Sequence, residues 1–275
     1  MKQVLLISFL TLMVTAGFCA SIEPKSPNFK GIQVVPVDPT PDPDEVDTKI
    51  LYPKDNEVRM SSPISGQIRV EGYALGTDTE QPRKKEVWND PKGQSLHVFI
   101  DNQPYFALNE ALIDALDDVE DYFDQTATFE IPFKLQPGMH VIRTFPVRSY
   151  NESVKSDRAF AASVFYFQDK KNNSQVDLTK PYLTYNEPQG EYDLGKKNQP
   201  ILLDFYITNC QLSQDGYKVR LTIDSDNQRT LIAWQPYYIY GLKKGMHRIR
   251  LELLDPQNQL VPGLFNDIQR TIVIR

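Results

Sequence analysis

The sequence predicts an all-β chain made of two tandem β-sandwiches, the first carrying a short acidic helical insertion. Three observations lead there. The stretch Leu135-Gln-Pro-Gly-Met-His-Val-Ile-Arg143 recurs as Leu242-Lys-Lys-Gly-Met-His-Arg-Ile-Arg250, and His140 and His247 stand 107 residues apart, the span of one small domain. Apolar residues alternate with polar ones in short runs, the period-two signature of half-buried strands. The chain also holds 20 prolines against 13 glycines, a loop-rich balance that suits sandwiches better than helical bundles.

Length and composition bound the class. The 275 residues allow one to two domains, and 40% hydrophobic with 24% charged residues is ordinary for a soluble globular chain. The net charge of −6 argues against broad nucleic-acid binding, and weakly against binding to anionic membrane surfaces.

Residues 1–20 read as an export signal. Lys2 gives a minimal positive start, Val4 to Val14 is an apolar run too short to span a bilayer, and small residues follow. An uncleaved anchor is the alternative. Cys19 raises lipidation as a further alternative, but Phe18 directly before it and Ala16 three before it fit that motif poorly. Membrane attachment is therefore expected only through such a lipid or a retained signal. Once the signal is removed Cys210 is the remaining cysteine, which rules out an intramolecular disulfide. Its neighbours Phe205, Tyr206, Ile207 and Leu212 mark it as a small buried side chain.

Residues 21–47 carry Pro24, Pro27, Pro36, Pro39, Pro41 and Pro43 and read as an extended spacer, with an isolated edge strand over 31–36. The first sandwich is expected over 48–168. Ile64, Ile68, Val70, Gly72 and Ala74 alternate as a strand, 76–94 is a polar loop holding Arg83-Lys84-Lys85 and Trp88, and Leu96 to Asp101 is the next strand. Asn102-Gln103 then turns a hairpin. Over 108–123 the spacing of Leu108, Leu112, Ala115, Leu116 and Val119 predicts a helix whose polar face includes Asp114, Asp117, Asp118 and Asp121. Strands follow at 126–133, through the repeated stretch to 147, and at 159–167. A polar linker, 169–180, leads to a second sandwich over 181–275 with the same plan. An Ile-Asp pair precedes each Gly-Met-His; the gap from Asp101 to Gly138 is 37 residues, and from Asp224 to Gly245 it is 21. The difference is about the length of the acidic helix, which makes that helix an insertion.

Short strands with turns every 8–12 residues carry the immunoglobulin-like signature. The Leu-x-x-Gly-x-His-x-Ile stretch resembles the turn and following strand of immunoglobulin-like and fibronectin III-like domains in exported bacterial proteins. The resemblance implies that Leu135 and Leu242 plug the core, that Gly138 and Gly245 take a backbone conformation a Cβ opposes, and that His140 and His247 open a strand as a counterpart of the tyrosine corner. It is a fold-level resemblance covering most of 48–275. The chain is also similar to an uncharacterised family of exported chlamydial proteins, from which no activity follows.

On this reading His140 and His247 are structural, metal ligation or catalysis being the alternative. His97 reads as a rim or cross-strand residue. Three histidines in three separate contexts do not make a zinc site, which needs three or four convergent ligands. The acidic helix lacks calcium-loop spacing and reads as a solvated face or a partner-docking element. Trp234, Tyr237, Tyr238 and Tyr240 cluster as core or interface aromatics, while Trp88 is the aromatic expected at the surface. No nucleophile elbow, zinc-binding helix motif, phosphate loop or Cys-x-x-Cys occurs. The expectation is a non-catalytic exported binding or scaffold protein without cofactor, touching a protein partner through Trp88, Asp114, Asp117, Asp118 and Asp121. Carbohydrate binding through exposed aromatics is the alternative, and an enzyme the remotest one.

Overall fold

A computed structural model describes residues 31–110, 125–170, 176–194 and 199–275. The described residues contain seventeen strands and one short 3-10 turn, Pro82–Lys85. No helix among them is long and apolar enough to cross a membrane. The proposed export signal with Cys19, and residues 111–123 of the predicted helix with Asp114, Asp117, Asp118 and Asp121, lie outside the described residues. Leu108, where that helix was expected to begin, instead ends a strand.

The strands divide into two matching sets of eight. In the first, β2 (Asp47–Tyr52), β4 (Ser65–Glu71) and β7 (Gln125–Glu130) form one antiparallel sheet. Facing it are β3 (Glu57–Arg59), β9 (Ala161–Phe167), β8 (Gly138–Val147), β5 (Ser95–Ile100) and β6 (Phe106–Leu108), in that order, with β3 parallel to β9. In the second, β10 (Tyr182–Glu187), β12 (Ile201–Thr208) and β15 (Tyr237–Tyr240) face β11 (Gly190–Tyr192), β17 (Asp267–Ile274), β16 (Gly245–Leu254), β13 (Lys218–Ile223) and β14 (Asn227–Leu231), with β11 parallel to β17. Every strand of the first set has a counterpart eight places later. The repeat read from one nine-residue stretch therefore extends to the whole strand order.

Each set encloses its own core. Ile68, Val98, Ile100, Ile142 and Phe165 fill the first, and Leu203, Phe205, Leu221, Ile249 and Leu251 the second. Burying one such side chain contributes about 1.5–3 kcal/mol. In β4 the alternation is strict: Gly66, Ile68 and Val70 point inward. Gly66 is required there because a Cβ would lie 2.1 Å from the ring of Phe129, which folds across it.

The first strand, β1 (Gln33–Pro36), has no counterpart. It is not isolated: it adds antiparallel to β15 in the second sandwich. The chain then crosses back to the first. Thr40 donates its N–H and hydroxyl to Glu152, Arg83 donates to the Asp38 carbonyl, and Arg148 donates to the Thr40 and Pro41 carbonyls and to Asp42. The proline-rich composition suggested an extended spacer over 21–47; residues 33–42 are extended, but held against both sandwiches as a strap. The prolines keep it extended, and its backbone groups are met by the two sandwiches it joins.

The two sandwiches pack face to face. Phe145 stacks on Tyr206 with ring centres 4.8 Å apart, Val87 and Tyr150 meet Leu202 and Tyr238, and Val141 and Tyr166 meet Tyr182 and Phe265. This covers the outer face of β8, which is buried along nearly its whole length, whereas β16 keeps exposed positions. The last turn of the connection is packed as well, with Val176 and Leu178 against the third of these clusters.

Candidate functional site

The repeated stretch builds the same clamp twice. Gly138 and Gly245 both sit at φ +132°, and a Cβ at either would meet nothing within 4 Å. Their constraint is therefore backbone conformation, not space. Two residues on, His140 places Nδ1 2.7 Å from Asp101 Oδ2 and Nε2 2.7 Å from the Gln136 carbonyl. His247 repeats this with Asp224 at 2.9 Å and the Lys243 carbonyl at 2.7 Å. The aspartates belong to the Ile-Asp pairs seen in the sequence and occupy positive φ. Burial opposes protonation of His140, but Asp101 and the Gln136 carbonyl outweigh it and raise its pKa. In each ring both nitrogens are engaged, one by the aspartate and one by the carbonyl, and neither is open to a metal. Leu135 is half-buried against the first core and Leu242 is buried in the second.

The two copies diverge at the next arginine. Arg250 is half-buried and pairs with Asp267 at 2.7 Å. Arg143 is buried at the junction, where it donates to Thr184 Oγ1 and the Asp101 carbonyl and lies 3.6 Å from the centre of the Phe265 ring. Burial lowers its pKa to about 9.

The junction also gathers polar side chains that nothing in the sequence brought together. Asp204, fully buried on β12, accepts from Lys155 Nζ at 2.6 Å, from Asn186 Nδ2 and from the Ser153 amide. Asn186 donates to Asn151 O and Asp204 and accepts from His97 Nδ1 at 2.7 Å. That chain fixes the tautomer of His97: the proton sits on Nδ1, and the Nε2 lone pair is left without a partner. Burial pushes the pKa of His97 down to about 3, so the ring is neutral. It is a buried junction residue, where the sequence suggested a rim. Glu187 accepts from the hydroxyls of Tyr105 and Tyr192, from Asn151 and from the Gln189 amide. Burial still raises its pKa to about 7.

Of these groups His97, Glu187 and the partners Tyr105, Tyr192, Asn151 and Gln189 line a cleft of about 190 Å³ between the sandwiches. Its wall includes His97, Tyr105 and Asn151 from the first sandwich and Glu187, Gln189 and Tyr192 from the second, with Trp88 at the rim. Trp88 is 52% exposed, while its neighbour Val87 is buried in the junction. The loop 76–94 is thus pinned rather than free. Arg83 forms an ion pair with Glu152 at 2.7 Å, both nearly buried, and donates to Tyr238. Lys84 pairs with Asp78 and Glu80. Arg83 and Lys84 of the basic run thus find their partners within the junction and their own loop.

The remaining aromatics are occupied. Tyr237 faces the second core and Tyr238 the junction, and Trp234 packs edge-on against Tyr206 and donates to the Phe205 carbonyl. Cys210 is half-buried, and burial pushes its thiol up to about 11, away from reactivity. Among the described residues no three His, Cys, Asp or Glu side chains converge as metal ligands would.

No family model matches the chain, and no curated protein matches it. Nothing found supports the likeness to an exported chlamydial family. Solved structures similar to it include fibronectin(III)-like modules of CbhA from Clostridium thermocellum, at 12% identity over 83% of this chain and 94% of that one, with a TM-score of 0.28. A tetra-tandem repeat in the extending region of a large adhesion protein matches at 12% identity over 83% and 48%, with a TM-score of 0.22. SGBP-B of Bacteroides ovatus, solved with a mixed-linkage heptasaccharide, matches at 12% identity over 90% of this chain and about half (48%) of that one, with a TM-score of 0.17. Such scores carry no argument about ligand or role, and the sandwich plan stands on the strand order itself.

Proposed function

We propose that the chain is a non-catalytic, exported binding protein of the cell envelope that contacts another protein through the face around Trp88. One observation carries this: a tryptophan is left half exposed at the rim of a cleft, on a frame whose other tryptophan and nearby tyrosines are packed or hydrogen-bonded. Exposing such a ring costs burial free energy that a monomer has no reason to forgo, and tryptophan is enriched among the residues that dominate protein interfaces. The frame suits a rigid scaffold, since strap, ion pairs and aromatic stacks fix one sandwich against the other. Export rests on the residues of 1–20. The acidic segment that includes Asp114, Asp117, Asp118 and Asp121 belongs to the same proposed contact surface through its sequence alone.

The second reading, carbohydrate binding, is favoured by the polar wall of Tyr105, Asn151 and Gln189 beneath the same ring. The test is capture of partners from the native envelope with the wild-type chain and with Trp88→Ala. Loss of a specific protein with Trp88→Ala supports the proposal. An unchanged set of captured proteins contradicts it, and Trp88-dependent retention on a glycan array favours the second reading.

A further inference from the structure

We propose that the cleft beside Trp88 receives a lysine or arginine side chain from a basic segment of the partner protein. The inference rests on the reading that the Trp88 face is the contact surface, and adds the chemistry of what enters it. The wall carries three carboxylates, Asp90, Glu187 and Glu191, and no lysine or arginine. Glu191 is offset by Arg275 at 2.5 Å. Asp90 and Glu187 have no cationic partner among the described residues: Asp90 accepts from the Lys92 amide, and Glu187 from phenols and amides.

Other groups of the wall point the same way. Burial first, and then Glu187, Asp90 and Asp204, hold the phenol proton of Tyr105 in place, so these carboxylates bear on one spot. His97, stacked under Tyr105 with ring centres 3.5 Å apart, is fully buried and neutral, so it brings no positive charge to the wall. A wall of acceptors in a negative field favours a donor that carries positive charge. The exposed face of Trp88 offers the complementary contact, because a cation over an indole is attracted by the ring quadrupole.

Size separates this from a sugar. The space of about 190 Å³ lies below the roughly 300–1,000 Å³ of pockets that enclose whole small molecules. It is on the scale of one inserted side chain. A neutral saccharide would leave Asp90 and Glu187 without a counter-charge.

The experiment titrates the full chain with the peptide pentalysine, followed by calorimetry, in parallel with pentaglutamate and with maltohexaose. Trp88→Ala and Asp90→Asn are each expected to weaken pentalysine binding about tenfold, with no binding of the other two probes. Asp215→Asn, the same charge change on an exposed turn outside the cleft, is expected to leave binding unchanged. Equal binding by all variants, no binding of pentalysine, or Trp88-dependent binding of maltohexaose overturns the inference. The wider proposal fails separately: Trp88-dependent capture of a protein with no response to pentalysine leaves the contact surface standing and removes only the cation.

Discussion

Lys155 Nζ and Asp204 Oδ1 lie 2.6 Å apart and tie the first sandwich to the second at a point where the aspartate has no solvent exposure. A buried carboxylate is tolerated when its lone pairs are all met. Asp204 meets that condition only with groups from both sides, the Ser153 amide and Lys155 across the junction and Asn186 on its own side. The cleft is assembled by the same contacts, so its shape depends on the junction staying closed.

Removing one partner exposes this dependence. Lys155→Met leaves Asp204 uncompensated and is expected to cost about 3–5 kcal/mol in urea unfolding. Lys155→Met combined with Asp204→Leu should recover much of that loss, because apolar replacement of both partners abolishes the unpaired charge. Equal destabilisation by the single and the double variant would show that the pair carries no such penalty.

The strap predicts a different failure. Deleting residues 31–37 removes β1 and leaves β15 as an open sheet edge. Open edges pair with other chains, so the deleted form is expected to self-associate in sedimentation while the intact chain does not. Glu152→Gln weakens the ion pair with Arg83 without removing the strand, and should destabilise the chain without self-association.

Gly138→Ala and Gly245→Ala meet no steric neighbour, so their cost is the backbone conformation alone, about 1–3 kcal/mol each in thermal or urea unfolding. The two costs should be similar, since both glycines sit at φ +132°. Neutral substitutions would mean that the turn relaxes freely, against the role assigned to it.

The clamp has a pH signature. The pKa of His140 is raised above its ordinary 6.5 in the folded chain. Its stabilising contribution is therefore complete below about pH 6.5 and is lost as pH rises through the higher folded value. The melting-temperature gap between wild type and Asp101→Asn should be largest near pH 6 and shrink toward pH 9. A gap that is flat over that range contradicts the ionic part of the contact. The pKa of Glu187 is raised as well, to about 7, because burial disfavours its charged form, so it too makes the junction less stable as pH rises, here from about 4.5 to about 7.

The repeat was legible because it is local. Turn, glycine, histidine and the Ile-Asp pair are read from short stretches, and β4 alternates as a half-buried strand must. The strap and the cleft were not legible for a physical reason. Thr40 and Glu152 are 112 residues apart, and Lys155 and Asp204 are 49 apart. In the sequence each reads as an ordinary surface residue, and only the packed junction makes them partners. Prolines that signal an open tether serve equally in an extended strap. Arg143 shows the same limit, since it ends the repeated stretch as Arg250 does, yet it is buried between the sandwiches while Arg250 stays partly open to solvent. Trp88 could be singled out because it is a large aromatic in a polar loop, but its companions Tyr105, Glu187 and Tyr192 come from other strands and turns.

The most direct test of the account is site-specific crosslinking in the native envelope, with a photoreactive phenylalanine analogue at position 88 and, as control, at position 215. The account predicts a discrete protein adduct from position 88 that is absent from position 215. No adduct from position 88, or the same adducts from both positions, would contradict the claim that the Trp88 face is where this protein meets its partner.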